Sequence, residues 1–155
     1  MNEEWEYKWD EAYFVWPYEG HLSDSTVKYN RNKDFTSLRC WQDCREVKLY
    51  YYKKVLPKLP PQEKYSLDTQ IRKASISITA NIAEGYGRFH HQEGIQFYRI
   101  ARGSLYELKD HLLSCAGLGY VQQELVTEGT QLIETAKISL NGFIRYVRNY
   151  AKSQR

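Results

Sequence analysis

The sequence QIRKASISITANIAEGYGR, residues 70–88, lies at the centre of the predicted architecture. Its apolar residues recur at helical spacing, and most positions between them carry serine, threonine or alanine. A helix that is small on nearly all sides can be approached closely by several neighbours, so we expect it inside a helical assembly. The glycines in the GYG at residues 85–87 predict the end of the helix without Cβ strain. The polar Asn81 and Glu84 within it must be hydrogen-bonded or functional.

The composition indicates one domain with a sizeable core. The chain has 155 residues, of which 42% are hydrophobic, and no apolar run approaches transmembrane length. The N-terminus lacks a basic segment followed by an apolar one, so we predict no signal peptide. The only cysteines are Cys40, Cys44 and Cys115, an odd and sparse set that favours a reducing cytoplasm without disulfides. We therefore expect a cytoplasmic protein with no membrane segment.

Residues 1–33 differ from the rest of the chain. They hold seven acidic and four basic residues and three of the four tryptophans. Polar and aromatic residues alternate in WEYKWD, residues 5–10, which is typical of extended structure. We predict an extended, acidic, aromatic arm over residues 1–33, followed by a helical domain over residues 34–155. The arm either packs on its own domain or a neighbouring subunit, or offers a surface for a partner or for stacked bases.

Four helices are predicted after the arm. Their approximate ranges are 34–56, 66–86, 90–116 and 122–150. Prolines end the first helix, and Gly117-Leu118-Gly119 ends the third. The third helix carries small or apolar residues at alternating spacings of four and three, as in long helices that pack nearly antiparallel. Because the later connections are short, we predict an all-α, antiparallel up-down-up-down four-helix bundle with an N-terminal extended aromatic arm.

Two basic stripes are the candidate nucleic-acid interface. The fourth helix carries cations at helical spacing, and no acidic residue follows Glu134. An antiparallel bundle places the end of this helix beside the turn between the second and third helices, so the cations form a basic pole there. Such a cluster binds phosphates regardless of base sequence. The alternatives are solvated faces, partners of the helix dipole, or salt bridges between subunits. The predicted nucleic-acid-binding residues are Arg88, His90, His91, Arg99, Arg102, Lys109, Lys137, Arg145, Arg148 and Lys152.

A polar cluster between the second and third helices is predicted to be structural. Asn81 and Glu84 lie three residues apart on one helix, and Ser104 and Glu107 lie three apart on the next. We expect these groups to hydrogen-bond each other and the turn at Gly85 and Gly87, while Gly103 lets the two helices approach. The alternative makes Glu84 a general acid or base, but no nucleophile or metal site is apparent beside it.

Metal and catalytic patterns are weak. Cys40 and Cys44 are four residues apart, yet the chain has no C-x-x-C pair and no H-x-x-x-H motif. Buried cysteines acting as small core residues are the simpler interpretation. The two Glu-x-x-His motifs of a di-iron bundle are missing, and the GYG turn lacks the glycines of a dinucleotide loop. We predict a non-enzyme with no metal, no cofactor and no catalytic residues.

Several stretches carry a family resemblance, which covers roughly residues 35–150. They are LRCWQ (38–42), YSLDTQIRKASISITANIAEGYGR (65–88), FYRIARGSLYE (97–107) and LGY (118–120). In these stretches the chain resembles the bacterial four-helix-bundle proteins encoded in intervening sequences of 23S ribosomal RNA genes. Relatives of that family include the accessory variability determinant proteins of diversity-generating retroelements. Two departures stand out: Thr79 lies where the family usually has proline, and the aromatic arm lies outside the family pattern.

The resemblance implies an up-down-up-down bundle that assembles into a ring-like homo-pentamer with a basic, nucleic-acid-binding surface. For the retroelement relatives it also implies partnership with a reverse transcriptase. Three functional interpretations follow from the sequence. The first is a homo-oligomeric nucleic-acid-binding scaffold that acts as an accessory subunit binding RNA and a reverse transcriptase. The second is an assembly scaffold without nucleic-acid binding, and the third is a nuclease whose site is unrecognised.

Overall fold

The computed structural model describes residues 34–88 and 91–153, apart from the side chain of His91. The predicted aromatic arm at residues 1–33 lies outside the described residues, as does His90. Within those ranges the chain forms four α-helices and no strand, which confirms the predicted all-α class. The helices are α1 (Arg39–Tyr50), α2 (Leu67–Tyr86), α3 (His91–Gly117) and α4 (Gln123–Ser153). None of these helices is long and apolar enough to cross a membrane.

Contacts between side chains define the order and direction of the helices. Lys54, just after α1, bridges Glu128 near the start of α4, and Lys48 of α1 bonds Thr79 of α2. Ser77 and Ser104 join α2 to α3, and Lys109 joins α3 to Glu134 of α4. Further along α2, Gly85 approaches Gly94, which precedes Ser104 in α3, so α2 and α3 run antiparallel. Arg102 precedes Lys109 in α3 and bonds Asn141, which follows Glu134 in α4, so α3 and α4 also run antiparallel, as in the predicted bundle.

The end of α1 departs from the single helix predicted up to about residue 56. α1 continues as a π-helical turn over Tyr51–Val55 and a 3-10 turn over Leu56–Lys58. Tyr50 and Tyr51 are both buried although they are adjacent in sequence. Their hydroxyls donate to the carbonyls of Leu125 and Leu108, each at 2.5 Å. The π turn begins at Tyr51, and the two tyrosine hydroxyls reach carbonyls on different helices, that of Tyr50 on α4 and that of Tyr51 on α3.

α2 is the central helix that its small residues predict. Ile71, Ile78 and Ile82 are fully buried, and the helix runs unbroken through Thr79. Threonine keeps the backbone N–H that proline would lack, so it fits an uninterrupted helix. The Thr79 hydroxyl also accepts a hydrogen bond of 3.1 Å from Lys48, which links α2 to α1.

Gly85 and Gly94 allow the close approach of α2 and α3 at the turn between them. A Cβ on Gly94 would lie 2.7 Å from the Gly85 carbonyl oxygen, and one on Gly85 would lie 2.6 Å from Cε1 of Tyr98. The prediction that Gly103 mediates this approach is wrong. Gly103 faces solvent, and a Cβ there would meet nothing within 4 Å.

The polar cluster between α2 and α3 is centred on Ser77. Its hydroxyl lies 2.7 Å from the hydroxyl of the buried Ser104 and accepts a 2.9 Å bond from Asn81. Glu84 is exposed and pairs with Arg88 at 2.5 Å. Glu107 is also exposed and lies 3.6 Å from His111. Of the predicted cluster, only Asn81 is therefore linked to Ser104, and Ser77 makes that link. Glu84 and Glu107 pair elsewhere.

The two predicted glycine stops differ in conformation. Gly87 follows α2 with φ −75° and ψ −6°, which any residue adopts, so the expectation that this stop needs a glycine conformation is wrong. Gly119 after α3 has φ +76°, the left-handed conformation that glycine favours. The N–H of Tyr120 bonds the carbonyl of Cys115, and the N–H of Gly119 bonds that of Ala116. These two bonds are a Schellman motif, which reverses the chain before α4.

Candidate nucleic-acid interface

The structure brings the two predicted basic stripes together along the α3–α4 seam. Arg102 of α3 donates to Asn141 of α4 at 3.0 Å, and Lys109 donates to Glu134 at 2.9 Å. Cations on α3 therefore face polar groups of the α4 stripe. Since these partners are intramolecular, part of the predicted binding surface contributes to joining the two helices.

Glu134 is shared by two lysines. It accepts from Lys109 and, at 2.9 and 3.0 Å, from Lys137. These hydrogen bonds, that from Lys109 first, lower the pKa of the Glu134 carboxyl below its usual range. The same contact with Glu134 raises the pKa of Lys137, whose ammonium also lies 4.3 Å from the ring centroid of Tyr106. Both lysines are thus partly neutralised before any ligand arrives.

The cations at the end of α4 have no such partner among the residues that the structure describes. Arg145, Arg148 and Lys152 are exposed. None of the three forms an ion pair within the part of the chain that the structure describes. No acidic residue follows Glu134, so the last two turns of α4 present positive charge alone. These three side chains are the strongest phosphate-binding candidates among the predicted residues.

The predicted pole is placed only in part. Gly85 packs on Tyr98 of α3, and the Tyr98 ring lies 5.0 Å from that of Phe143 in α4. The α2–α3 turn therefore lies at the same end of the bundle as the end of α4. Arg88 in this turn pairs with Glu84, and its guanidinium lies 4.6 Å from the ring centroid of Phe97.

Of the three other members of the predicted interface, the structure describes only the side chain of Arg99. His90 and the side chain of His91 lie outside the described residues, so their part in the pole stays a prediction. Arg99 is exposed on α3 and forms a long 3.4 Å contact with Gln96. It adds an exposed cation to the same half of the bundle.

An aromatic ladder on α4 was missed by the sequence reasoning. The rings of Phe143 and Tyr146 stack with centroids 6.4 Å apart and planes 21° apart. Tyr146 and Tyr150 follow with centroids 6.4 Å and planes 24° apart. The signal was the spacing of three and four residues between the aromatics, which places them on one face of a helix. Tyr146 and Tyr150 remain 49% and 43% exposed, so this is more than core packing.

The cysteines are part of the core. Cys40, Cys44 and Cys115 are free thiols with at most 2% of their surface exposed. Burial raises the pKa of Cys40 to about 12 and that of Cys115 to about 11, and it also raises the pKa of Cys44. Among the described residues, no three His, Cys, Asp or Glu side chains are grouped so as to hold a metal ion.

Comparison with known proteins identifies the family. No curated protein matches the chain. The family described as 23S rRNA-intervening sequence protein matches residues 36–142, which is more than half of the chain and includes all of α1, α2 and α3. The chain therefore belongs to the 23S rRNA-intervening sequence protein family.

Proposed function

We propose that this protein is a non-catalytic, homo-oligomeric scaffold that binds nucleic acid through the end of α4. The observation that carries the proposal is the set of three exposed cations, Arg145, Arg148 and Lys152, with no ion-pair partner among the described residues. Membership of the 23S rRNA-intervening sequence protein family supports an association with RNA. The cations suit phosphate binding that is independent of base sequence.

Assembly is the second part of the proposal. We propose a ring-like homo-oligomer, a pentamer as in the family resemblance, because several copies of a small basic patch bind one long polyanion far better than one copy does. Exposed isoleucines support assembly: Ile76, Ile100 and Ile138 keep 54%, 51% and 73% of their surface accessible. Native mass spectrometry measures the copy number directly, and a purely monomeric chain contradicts this part.

The partner and location follow from the same resemblance. We propose a bacterial reverse transcriptase as a protein partner and the cytoplasm as the location. Three free, buried thiols suit a reducing compartment. Co-expression of the chain with a reverse transcriptase encoded beside its gene, followed by affinity purification, tests the partnership. Recovery of the chain alone contradicts it.

The exposed isoleucines also support a second candidate function, an assembly scaffold without nucleic-acid binding. In that case the α4 cations contact other subunits. A gel-shift assay with structured RNA at low salt separates the two candidates, because only the first predicts a shift. The assay compares the wild-type chain with the double variant Arg145→Ala/Arg148→Ala and with Lys109→Ala.

Lys109→Ala is the control, since it removes a cation that Glu134 already holds, whereas the double variant removes two cations that have no ion-pair partner among the described residues. We expect the wild type to shift the RNA, the double variant to shift it much less, and Lys109→Ala to remain close to the wild type. A clean oligomer that shifts no RNA contradicts nucleic-acid binding and favours the assembly scaffold.

A further inference from the structure

The aromatic ladder Phe143–Tyr146–Tyr150 lies on the same turns of α4 as the exposed cations. Phosphate binding alone does not explain the exposed rings of Tyr146 and Tyr150. We infer that the end of α4 binds single-stranded nucleic acid, with bases stacked on the ladder and phosphates held by the cations. This inference rests on the proposed function and specifies its substrate class.

The ladder is held in place from the core. Tyr98 is 3% exposed, and its ring meets that of Phe143 at 5.0 Å and 61°, an edge-to-face contact. Phe143 in turn aligns Tyr146 to within 21°. Ordering the ring before binding lowers the entropy lost when a base stacks on it.

The exposed face between rings and cations is open to a strand. Successive residues of an α-helix turn by about 100°, so Tyr146 and Arg145 lie about 100° apart around the axis. Gly142, Asn149 and Ser153 lie between them on this helical wheel, and none is bulky or charged. A strand crossing this face meets small neutral side chains between a cationic edge and an aromatic edge.

Charge and ring geometry together favour a single strand over a duplex. In a duplex both faces of each base are covered by neighbouring bases, whereas unpaired bases can stack on aromatic side chains. Each stacked base contributes roughly a five- to hundredfold change in affinity when the aromatic residue is truncated to alanine. The cations by themselves distinguish the two forms poorly, because both carry phosphates.

The test measures affinity by fluorescence anisotropy for a short labelled oligoadenylate and for an RNA duplex of equal strand length. The key variants are Tyr146→Ala, which removes the ring, and Tyr146→Phe, which keeps it. Tyr65→Ala is the control, because Tyr65 is an 84% exposed tyrosine in the α1–α2 connection. Circular dichroism establishes that each variant keeps the wild-type helix content.

We expect Tyr146→Ala to weaken oligoadenylate binding roughly five- to hundredfold while duplex binding stays the same. Tyr146→Phe and Tyr65→Ala should bind both probes as the wild type does. The stacking inference is overturned if Tyr146→Ala and Tyr65→Ala have the same affinity for oligoadenylate, or if Tyr146→Ala weakens the affinity for both probes equally. In either case the double variant Arg145→Ala/Arg148→Ala still reduces binding. In that case phosphate binding stands alone. A wild type that binds neither probe overturns the proposed function itself and this inference with it.

Discussion

Alanine at Gly94 and alanine at Gly103 should change stability in opposite directions, although both glycines lie within α3. At Gly94 the new Cβ would lie 2.7 Å from the carbonyl oxygen of Gly85, whereas ordinary van der Waals contact begins near 3.4 Å. The obstacle is backbone, so α2 and α3 must separate by several tenths of an ångström. Overpacking of this kind costs about 1–3 kcal/mol, which exceeds the gain in helix propensity of about 1 kcal/mol.

At Gly103 only the propensity gain remains, because a Cβ there meets nothing within 4 Å. Gly103→Ala should therefore raise the free energy of unfolding by about 0.5–1 kcal/mol. Gly94→Ala should lower it by up to about 2 kcal/mol after the two effects are combined. Urea unfolding followed by circular dichroism measures both variants against the wild type at one protein concentration.

Two results refute this reasoning. If Gly94→Ala is as stable as Gly103→Ala, the helices do not approach closely at the Gly85–Gly94 crossing. If Gly103→Ala is strongly destabilising, a Cβ at this position does collide with a neighbouring surface. Gly103 is then a point of close approach after all.

Three further predictions concern the core, the seam and the thiols. Tyr51→Phe should lower the free energy of unfolding by about 1 kcal/mol, because the buried hydroxyl donates to the Leu108 carbonyl at 2.5 Å. Urea denaturation measures the change, and an unchanged unfolding midpoint contradicts this bond. The pKa of Glu134 is lower in the folded chain, so its carboxylate stabilises the fold above the ordinary glutamate pKa, and this contribution is lost as pH falls through the folded pKa. The stability difference between the wild type and Glu134→Gln should therefore shrink below about pH 4 and also in high salt, and a pH-independent difference rules out the shared carboxylate. Burial raises the pKa of Cys40 to about 12 and that of Cys115 to about 11. A thiol-specific reagent at mildly alkaline pH should therefore label the native protein slowly and the urea-unfolded protein fully. Rapid labelling of the native protein contradicts the buried placement.

Local patterns in the sequence predict the helices well. The serine- and alanine-rich stretch at 70–88 became the central helix α2, and the apolar repeat of the third helix became the buried face of α3. These features depend on spacing within one helix. The π turn at Tyr51–Val55 was not predicted, because residues 51–55 contain no proline or glycine that would indicate a change of helix type.

Features that depend on the register between helices were not predictable. Gly103 and Gly94 are equally plausible crossing points in sequence, and only the pairing of α2 with α3 shows that Gly94 meets Gly85. The sharing of Glu134 by Lys109 and Lys137 likewise depends on how α3 lies against α4. This register decides that Lys109 and Lys137 are paired with Glu134, whereas Arg145 is exposed. The spacing of basic residues in the sequence does not reveal that difference.

The most direct test of nucleic-acid binding is the dependence of single-strand RNA affinity on salt concentration. For a single strand, the logarithm of the affinity falls against the logarithm of salt with a slope of about −0.7 per neutralised phosphate. Removing Arg145, Arg148 and Lys152 together, as alanines, should therefore make the slope less negative by about 2 per bound subunit, whereas Lys109→Ala should change it little. A wild-type slope near zero, or a slope that the triple variant leaves unchanged, contradicts the account.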